Sequence, residues 1–217
     1  MPDSLPMLWG LLVRAPWRVL RRSARRAVGR DATMDSPDRK LLEDCILPHY
    51  RARPDVREVL FVGTRWYTRG YAERLDRQHF VTLDIDPRAA RHGSAQRHIV
   101  ACVSEVERHF APDSLDLIVL NGVFGWGLND RERMQRALQG FHRVLRPGGE
   151  LLIGWNDVPG HRPFDLHRVP ALAKFEPLRF EPLGVQSVTL PTDNRHCFEF
   201  YRKPLAAVPA YEATAYR

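Results

Sequence analysis

Apolar and polar positions follow two different periods along most of this chain. From residue 57 onward, short apolar runs of strand length alternate with segments in which apolar residues recur every three or four positions. The runs are typical of buried parallel strands, and the longer segments are typical of amphipathic helices that cover a sheet. In chain order the pattern predicts strand 57–63, helix 67–76, strand 79–84, a short helix from Pro87, strand 97–101, helix 104–110, strand 115–121, helix 129–145, and strands 149–155, 185–190 and 195–203.

The alternation of strands and helices determines the expected fold class. It predicts an α/β domain built on a doubly wound, mostly parallel sheet of seven strands with helices on both faces. The last two strands are separated by a short Pro-Thr-Asp-Asn turn, which predicts a hairpin. A hairpin inserted at the sheet edge places an antiparallel C-terminal strand there.

The first thirty residues differ from the rest of the chain in charge. They hold seven arginines and the single acid Asp3, so this segment carries +6 of the chain's net charge of +7. Trp17 and Leu20 begin an apolar stripe at helical spacing, which predicts a basic amphipathic helix. Such a helix either binds an anionic membrane surface or a partner, or packs its stripe on the domain with the arginines in solvent. The nearly neutral remainder gives no sign of a specific nucleic-acid partner.

Composition and spacing suggest four segments: residues 1–30, a helix within 31–56 that leads into the core, the α/β domain 57–203, and a tail 204–217. Three cysteines lie far apart without metal-like spacing, which favours reduced thiols and no metal site. No apolar run approaches the length of a membrane span. The expected location is therefore the cytoplasm, with peripheral attachment to the inner face of the membrane through residues 1–30 as a further option.

Two strand ends carry residues that suit a nucleoside. The first predicted strand ends in Gly63, and the second ends about twenty residues later in Asp84. Because parallel neighbours end at the same edge of a sheet, a carboxylate there can accept both ribose hydroxyls while the first turn faces the rest of the ligand. The competing interpretation is that Asp84 or Asp86 caps the helix that begins at Pro87.

A third motif follows the two strand ends along the chain. A helix end, a Pro147-Gly148-Gly149 turn and an apolar strand follow strand 115–121. This order of motifs resembles the class I S-adenosylmethionine-dependent methyltransferases over roughly residues 55–203. The resemblance implies a Rossmann-like fold, S-adenosyl-L-methionine as cofactor and methyl transfer as the activity. The antiparallel hairpin at the C-terminus is similar to the arrangement in this family and differs from that in dinucleotide dehydrogenases.

The loop after Gly63 departs from the glycine-rich motif of that family. Phe61 stands where the family places an acid, and bulky residues replace the later glycines. Arg65 in a left-handed conformation would cost about 1–2 kcal/mol, so another path is expected for the loop. Arg65 or Arg69 would then suit the carboxylate of the cofactor. The lost glycines are equally compatible with a relative that has no activity.

Other candidate residues follow from the resemblance and from their positions at strand ends. Ser104 or Glu105 would substitute for an acid that many family members carry after the third strand. The glycine-rich loop 121–129 forms either a wall for a flat ring or a tight turn that packs aromatic residues. The candidate cofactor-binding residues are Gly63, Arg65, Asp84, Ile85, Asn121 and Trp126. The candidate catalytic residues on the acceptor side are Asp157 and His161, since imidazole titrates near neutral pH.

The sequence leaves two classes of function open. The first is methyl transfer from S-adenosyl-L-methionine to a small-molecule or lipid-linked acceptor. The alternative is a catalytically inactive relative that serves in binding or scaffolding. A nicotinamide-dependent oxidoreductase is disfavoured, because no Gly-x-Gly-x-x-Gly pattern follows Gly63.

Overall fold

The computed structural model describes residues 35–205, and eight strands form one sheet within this range. The strands are β1 (Glu58–Val62), β2 (His79–Asp84), β3 (Arg97–Val100), β4 (Leu115–Asn121), β5 (Leu145–Asn156), β6 (Glu176–Pro177), β7 (Ser187–Thr189) and β8 (His196–Arg202). Their spatial order is β3-β2-β1-β4-β5-β8-β6, and β7 also pairs with β8.

Strand directions confirm the predicted fold class. The neighbours from β3 to β5 are all parallel, whereas β8 runs antiparallel to β5, β6 and β7. The sheet has eight strands rather than the expected seven because the two-residue β6 pairs with the end of β8. A strand of that length has no periodicity that a sequence pattern can reveal.

The helices are shorter and less regular than the pattern predicts. A helical segment near the start of the described residues comprises α1 (Pro37–Leu41), a π-helical turn (Leu42–Ile46) and α2 (Leu47–Ala52). The predicted helix 67–76 is a 3₁₀ turn (Trp66–Thr68) and α3 (Tyr71–Arg74), divided at Gly70. The long helix α4 (Arg131–Val144) confirms the predicted helix 129–145. The other 3₁₀ helices are Pro87–His92, Val103–Arg108, Pro159–His161, Leu166–Arg168 and Pro170–Lys174.

A separate hydrophobic core covers each face of the sheet. Side chains of β1 alternate between the faces: Leu60 and Val62 belong to one core, Val59 and Phe61 to the other. The first core is closed by α4, and the second by α1, the π-helical turn and α2. The residues that close the second core include Leu42, Ile46, Leu47 and Tyr50.

Hydrogen bonds fix the position of the N-terminal helical segment on the sheet. The buried carboxylate of Glu150 on β5 accepts from Tyr50 Oη at 2.9 Å and from Arg53 Nη1 at 2.5 Å. Arg74 Nη2 donates to Glu43 Oε2 at 2.9 Å and ties the segment to α3. Residues at the start of the segment are therefore held at a defined place beside the ends of β1 and β4.

The predictions for residues 1–30 and for most of the tail lie outside the described residues, and the four-segment division stays a prediction. Between residues 35 and 205, no helix combines the length and apolar character that a membrane span requires. The same range contains no cluster of three or more His, Cys, Asp or Glu side chains arranged to hold a metal ion.

Candidate functional site

The predicted site residues meet at one edge of the sheet. Because β1, β2, β4 and β5 are parallel, their carboxyl ends lie side by side, and each is followed by a loop or turn. Gly63 follows β1, Asp84 ends β2, Asn121 ends β4 and Asn156 ends β5. This edge is where ligands of open α/β sheets bind.

Asp84 is bound to the loop after β1. Its side chain is 6% exposed; Oδ2 accepts from the Thr64 backbone N–H at 2.7 Å and from Arg65 Nη1 at 3.3 Å. Oδ1 accepts from the Asp86 backbone N–H at 2.9 Å. An ionised carboxylate offers about four acceptor positions, so one position on Oδ1 remains open. Arg65 makes the longest of these contacts with a side chain that is 54% exposed, so it can leave Asp84 at small cost.

The backbone at Gly63 requires glycine for two reasons. Its φ is +88°, and an added Cβ would lie 2.7 Å from Cγ2 of Val123 in the loop after β4. Arg65 is extended, with a φ of −144°, so the loop avoids the left-handed conformation at this arginine. The loops after β1 and β4 therefore approach each other closely at the carboxyl edge of the sheet. In the crevice between these loops, the side chain of Val123 lies where a second glycine would leave the backbone open.

A cavity of about 460 Å³ lies beside the end of β2. Ile85, Cys102, Ser104 and Glu105 line it, which brings together the residues expected at the ends of the second and third strands. The competing role of helix capping falls to Asp86, whose Oδ1 accepts from the Arg88 backbone N–H at 2.9 Å. The remaining lining residues are Glu107, Arg108, Arg133 and Arg136.

Trp126 and His161 form an aromatic wall on the other side of the crevice. Their rings stack with centroids 4.0 Å apart and planes 18° apart. An added Cβ on Gly125 would lie 2.0 Å from the His161 carbonyl oxygen, so the two loops touch through their backbones. His161 Nδ1 lies 3.2 Å from the Gly125 carbonyl oxygen, and Nδ1 must carry the proton because that oxygen can only accept.

Asp157 lies next to this wall but is bound by two arginines. Oδ1 accepts from Arg162 Nη1 at 2.8 Å, and Oδ2 accepts from Arg195 Nη2 at 3.3 Å. Both carboxylate oxygens of Asp157 are therefore already engaged. The arrangement suits a positioning role for Asp157 better than proton transfer.

A buried polar cluster joins the candidate residue Asn121 to Asn156 and to His196, which the sequence did not single out. His196 Nδ1 lies 2.6 Å from Asn156 Oδ1, and His196 Nε2 lies 3.0 Å from Asn121 Oδ1. Burial lowers the pKa of His196 to about 4, so its ring is neutral near pH 7 and carries one N–H. One of the two amides must therefore turn its nitrogen toward the ring. His196 begins β8, far along the chain from Asn156, and no local motif marks it.

Arg39 on α1 was also missed. It is buried, its Nη1 donates to Tyr71 Oη at 3.0 Å, and its guanidinium lies 4.4 Å from the centre of the Tyr67 ring. Nη2 lies 3.8 Å from the position that a Cβ would take on Gly122. From the sequence alone, an arginine in this helix is expected to face solvent. Only the folded arrangement brings Arg39 close to Gly122, which follows β4.

The protonation of His196 predicts a dependence of stability on pH. The unfolded chain takes up this proton near pH 6.5 and the folded protein only near pH 4, so the unfolded state binds more protons between these values. Lowering the pH from 6.5 to 4 should therefore reduce the free energy of unfolding, by up to about 3 kcal/mol from this residue.

Urea denaturation at several pH values measures this effect in the wild type and in His196→Gln. The other histidines are common to both proteins, so the difference between the two pH profiles isolates His196. A flatter profile is expected for the variant. Two profiles of equal slope would contradict the assignment of a neutral, buried His196.

Comparisons with known proteins agree with this fold. A family model described as a methyltransferase domain matches residues 62–153. No curated protein matches the sequence. The structure of the N-methyltransferase NodS from Bradyrhizobium japonicum WM9, in complex with S-adenosyl-L-homocysteine, is 19% identical and has a TM-score of 0.59; the match covers 78% of this chain and 89% of that chain.

Two further solved structures are similar over most of their length. A TehB-like S-adenosylmethionine-dependent methyltransferase from Corynebacterium glutamicum is 18% identical with a TM-score of 0.56, and the match covers 86% of this chain and 96% of that chain. The 1,6-didemethyltoxoflavin-N1-methyltransferase of Burkholderia thailandensis is 19% identical with a TM-score of 0.51, and the match covers 94% of this chain and 92% of that chain. At these identities the similarity establishes the fold.

The family match, the strand order and the antiparallel β8 point to one group of proteins. The cofactor of that group is S-adenosyl-L-methionine. Residues 62–153 therefore match a methyltransferase domain, and the sheet that contains them has the fold of the class I S-adenosylmethionine-dependent methyltransferases.

Proposed function

We propose that this protein transfers the methyl group of S-adenosyl-L-methionine to a small-molecule or lipid-linked acceptor. The observation that carries the proposal is the pairing of Asp84 with a cavity at the same strand end. Asp84 keeps one acceptor position open on Oδ1, and the cavity begins at the next residue, Ile85. A ribose and an attached base require this combination of a carboxylate and a neighbouring slot.

The residues at this edge fit the adenosine half of the cofactor. A volume of about 460 Å³ lies within the usual range of small-molecule sites. The apolar side chain of Ile85 and the small side chains of Cys102 and Ser104 suit a flat ring, and Asp84 suits a ribose hydroxyl. When bound, the cofactor supplies an electrophilic methyl group on a sulfonium centre.

The aromatic wall of Trp126 and His161 supports an assignment of the acceptor side. Much of the acceleration of a methyl transfer can come from holding the nucleophile in line with the methyl group, so a rigid wall has a clear use. His161 is the better candidate to take a proton from the acceptor, because Asp157 is already engaged by two arginines. Trp126 is 59% exposed and offers a flat apolar face to an acceptor.

Exposed apolar side chains support an acceptor with an apolar part. Trp66, Ile85 and Trp126 follow β1, β2 and β4, and all three are exposed large hydrophobic residues at the carboxyl edge. Such residues around a crevice are typical of a binding surface. We assign the protein to the cytoplasm, with attachment to an anionic membrane surface through residues 1–30 as part of the proposal and without a specific nucleic-acid partner.

Contacts within the crevice favour a second candidate function, a non-catalytic binding protein. Val123 fills the space over Gly63, and Arg65 contacts Asp84. Both contacts place the protein's own side chains where a ligand of this fold would lie.

Methyl transfer can be tested by incubating purified protein with radiolabelled S-adenosyl-L-methionine and an extract of its native cells. Label transferred by the wild type and not by Asp84→Asn supports the enzyme, whereas no transfer above background favours the binding protein.

The basic N-terminal segment predicts binding to membranes that is sensitive to salt. Each arginine near an anionic leaflet contributes about 1 kcal/mol, and the apolar stripe adds burial. Full-length protein should sediment with vesicles that contain phosphatidylserine at low salt and dissociate at high salt. A protein that lacks residues 1–30 should stay in the supernatant, and equal binding by the two proteins would reject the role of this segment.

A further inference from the structure

Two buried polar side chains near Gly122 each have one atom without a hydrogen-bond partner among the described residues. The Nε–H of Arg39 has none, and neither has one amide atom of Asn121. The two residues are 6% and 4% exposed, respectively. Burial of an unpaired polar atom costs about 1–3 kcal/mol, so these two atoms point to a site that a polar ligand completes.

The guanidinium of Arg39 makes one hydrogen bond and one longer ion pair among the described residues. Among the described residues its only hydrogen bond is the one from Nη1 to Tyr71 Oη. The carboxylate of Asp38 lies 3.6 Å from Nε, which is beyond hydrogen-bond distance. One face of the guanidinium is covered by the Tyr67 ring at 4.4 Å. Its remaining donors suit a planar anion, and a carboxylate matches them in geometry.

Arg65 and Arg69, the other two arginines near the crevice, already donate hydrogen bonds to other groups. Arg65 donates to Thr64 O at 2.9 Å and to Asp84 Oδ2 at 3.3 Å. Arg69 donates to His92 Nδ1 at 2.9 Å and to Arg91 O at 3.4 Å. Both therefore lie toward β2 and the segment after it. Arg39 instead approaches the gap between β1 and β4, with Nη2 3.8 Å from the Cβ position of Gly122.

Asn121 completes the polar lining of this gap. One of its amide atoms contacts His196 Nε2 at 3.0 Å, and the other is buried without a partner. The neutral His196 ring leaves either amide orientation possible, so the free atom is a nitrogen that meets a carboxylate or an oxygen that meets an ammonium group. Both groups are present in an amino acid.

We propose that Arg39 binds the carboxylate of the cofactor's amino-acid part, with Asn121 as a second polar contact. This inference rests on the proposed function and extends it to a residue outside the matched domain. A side chain from α1 would thus take over the binding that glycine backbone cannot provide after Gly63.

Binding of two ligands by calorimetry tests the assignment. S-adenosyl-L-homocysteine carries the amino-acid part, whereas 5′-methylthioadenosine keeps the adenosine and lacks it. Replacing Arg39 by Met should weaken binding of S-adenosyl-L-homocysteine by at least about tenfold, the usual range for a lost charge-assisted hydrogen bond. Binding of 5′-methylthioadenosine should change by less than about threefold, which also verifies the fold of the variant.

Arg51→Met serves as the matched control, because Arg51 lies on α2 of the same helical segment and makes only an exposed ion pair with Asp76. It should bind both ligands as the wild type does. Equal weakening of both ligands by Arg39→Met, or no change in either, would overturn the proposal. A wild type that binds neither ligand would instead refute the proposed function, so the two failures are distinguishable.

A measurement on the wild type covers the case in which Arg39→Met does not fold. The buried Nε–H of Arg39 should give its own ¹⁵N nuclear magnetic resonance signal, identified by its loss in Arg39→Lys. S-adenosyl-L-homocysteine should shift this signal, and 5′-methylthioadenosine should leave it nearly unchanged. An identical response to both ligands would contradict a contact with the amino-acid part.

Discussion

Replacing Asp84 by Asn is expected to weaken binding of S-adenosyl-L-homocysteine by about 10- to 100-fold, because a hydrogen bond to a charged group contributes about 1.5–3 kcal/mol. The Asn side chain keeps the size of Asp84 and loses the charge. Of the two oxygens, Oδ1 holds the open acceptor position that we assign to a ribose hydroxyl. Isothermal titration calorimetry measures the change directly.

Asp86→Asn is the matched control for this experiment. Asp86 lies two residues away, and its carboxylate caps the 3₁₀ helix Pro87–His92 through the Arg88 backbone N–H. Its replacement should leave the affinity within about twofold of the wild type, because Asp86 makes no contact that the proposal assigns to the ligand. Equal losses of affinity in the two variants would point to a general change in net charge and against the role of Asp84.

Removal of Glu199 is expected to cause the largest loss of stability. Its buried carboxylate on β8 accepts from Trp155 Nε1 at 3.0 Å, from the Tyr201 hydroxyl and from His167 Nε2 at 3.2 Å. Glu199→Ala leaves these donors without an acceptor and opens a cavity. The free energy of unfolding should fall by about 3–5 kcal/mol, as measured by urea denaturation at pH 7.

Two further substitutions separate the role of the carboxylate from that of the side-chain volume. Glu199→Gln keeps the volume and one acceptor oxygen, so it should lose only about 1–2 kcal/mol. Glu176→Ala removes an exposed partner of Arg202 on the neighbouring strand and should change stability by less than about 1 kcal/mol. Similar losses in Glu199→Ala and Glu176→Ala would contradict the description of Glu199 as the centre of a buried network.

The strands and the residues at their ends could be predicted because the necessary information is local. Each apolar run of a buried parallel strand marks its own position, and a residue that ends a strand must lie at the sheet edge. Asp84, Ile85 and Asn121 were placed at that edge by this argument, and the structure has them there. Their roles in binding stay predictions.

The buried polar residues of the site could not be predicted because they depend on contacts between distant parts of the chain. His196 meets Asn156 only through the antiparallel register of β5 and β8, which no short motif encodes. Arg39 is buried because its side chain packs against Tyr67, Tyr71 and the loop after β4. A charged residue in an amphipathic helix normally faces solvent, so the sequence pattern did not indicate that Arg39 is buried.

The loops of the site were only partly predictable for a similar reason. The replacement of glycines after Gly63 indicated an unusual path, and Arg65 is indeed extended. The close approach of Val123 to Gly63 comes from the loop after β4 and had no signal in the sequence of either loop. Stacking of Trp126 on His161 likewise joins two segments that are separate in the chain.

Calorimetric titration of the full-length wild type with S-adenosyl-L-homocysteine tests the central claim most directly. The account predicts saturable binding at one site, with a dissociation constant in roughly the micromolar range common for enzyme ligands. Absence of any binding heat at several temperatures with protein shown to be folded, together with no rise in melting temperature at millimolar ligand, would contradict the claim that this crevice holds the cofactor.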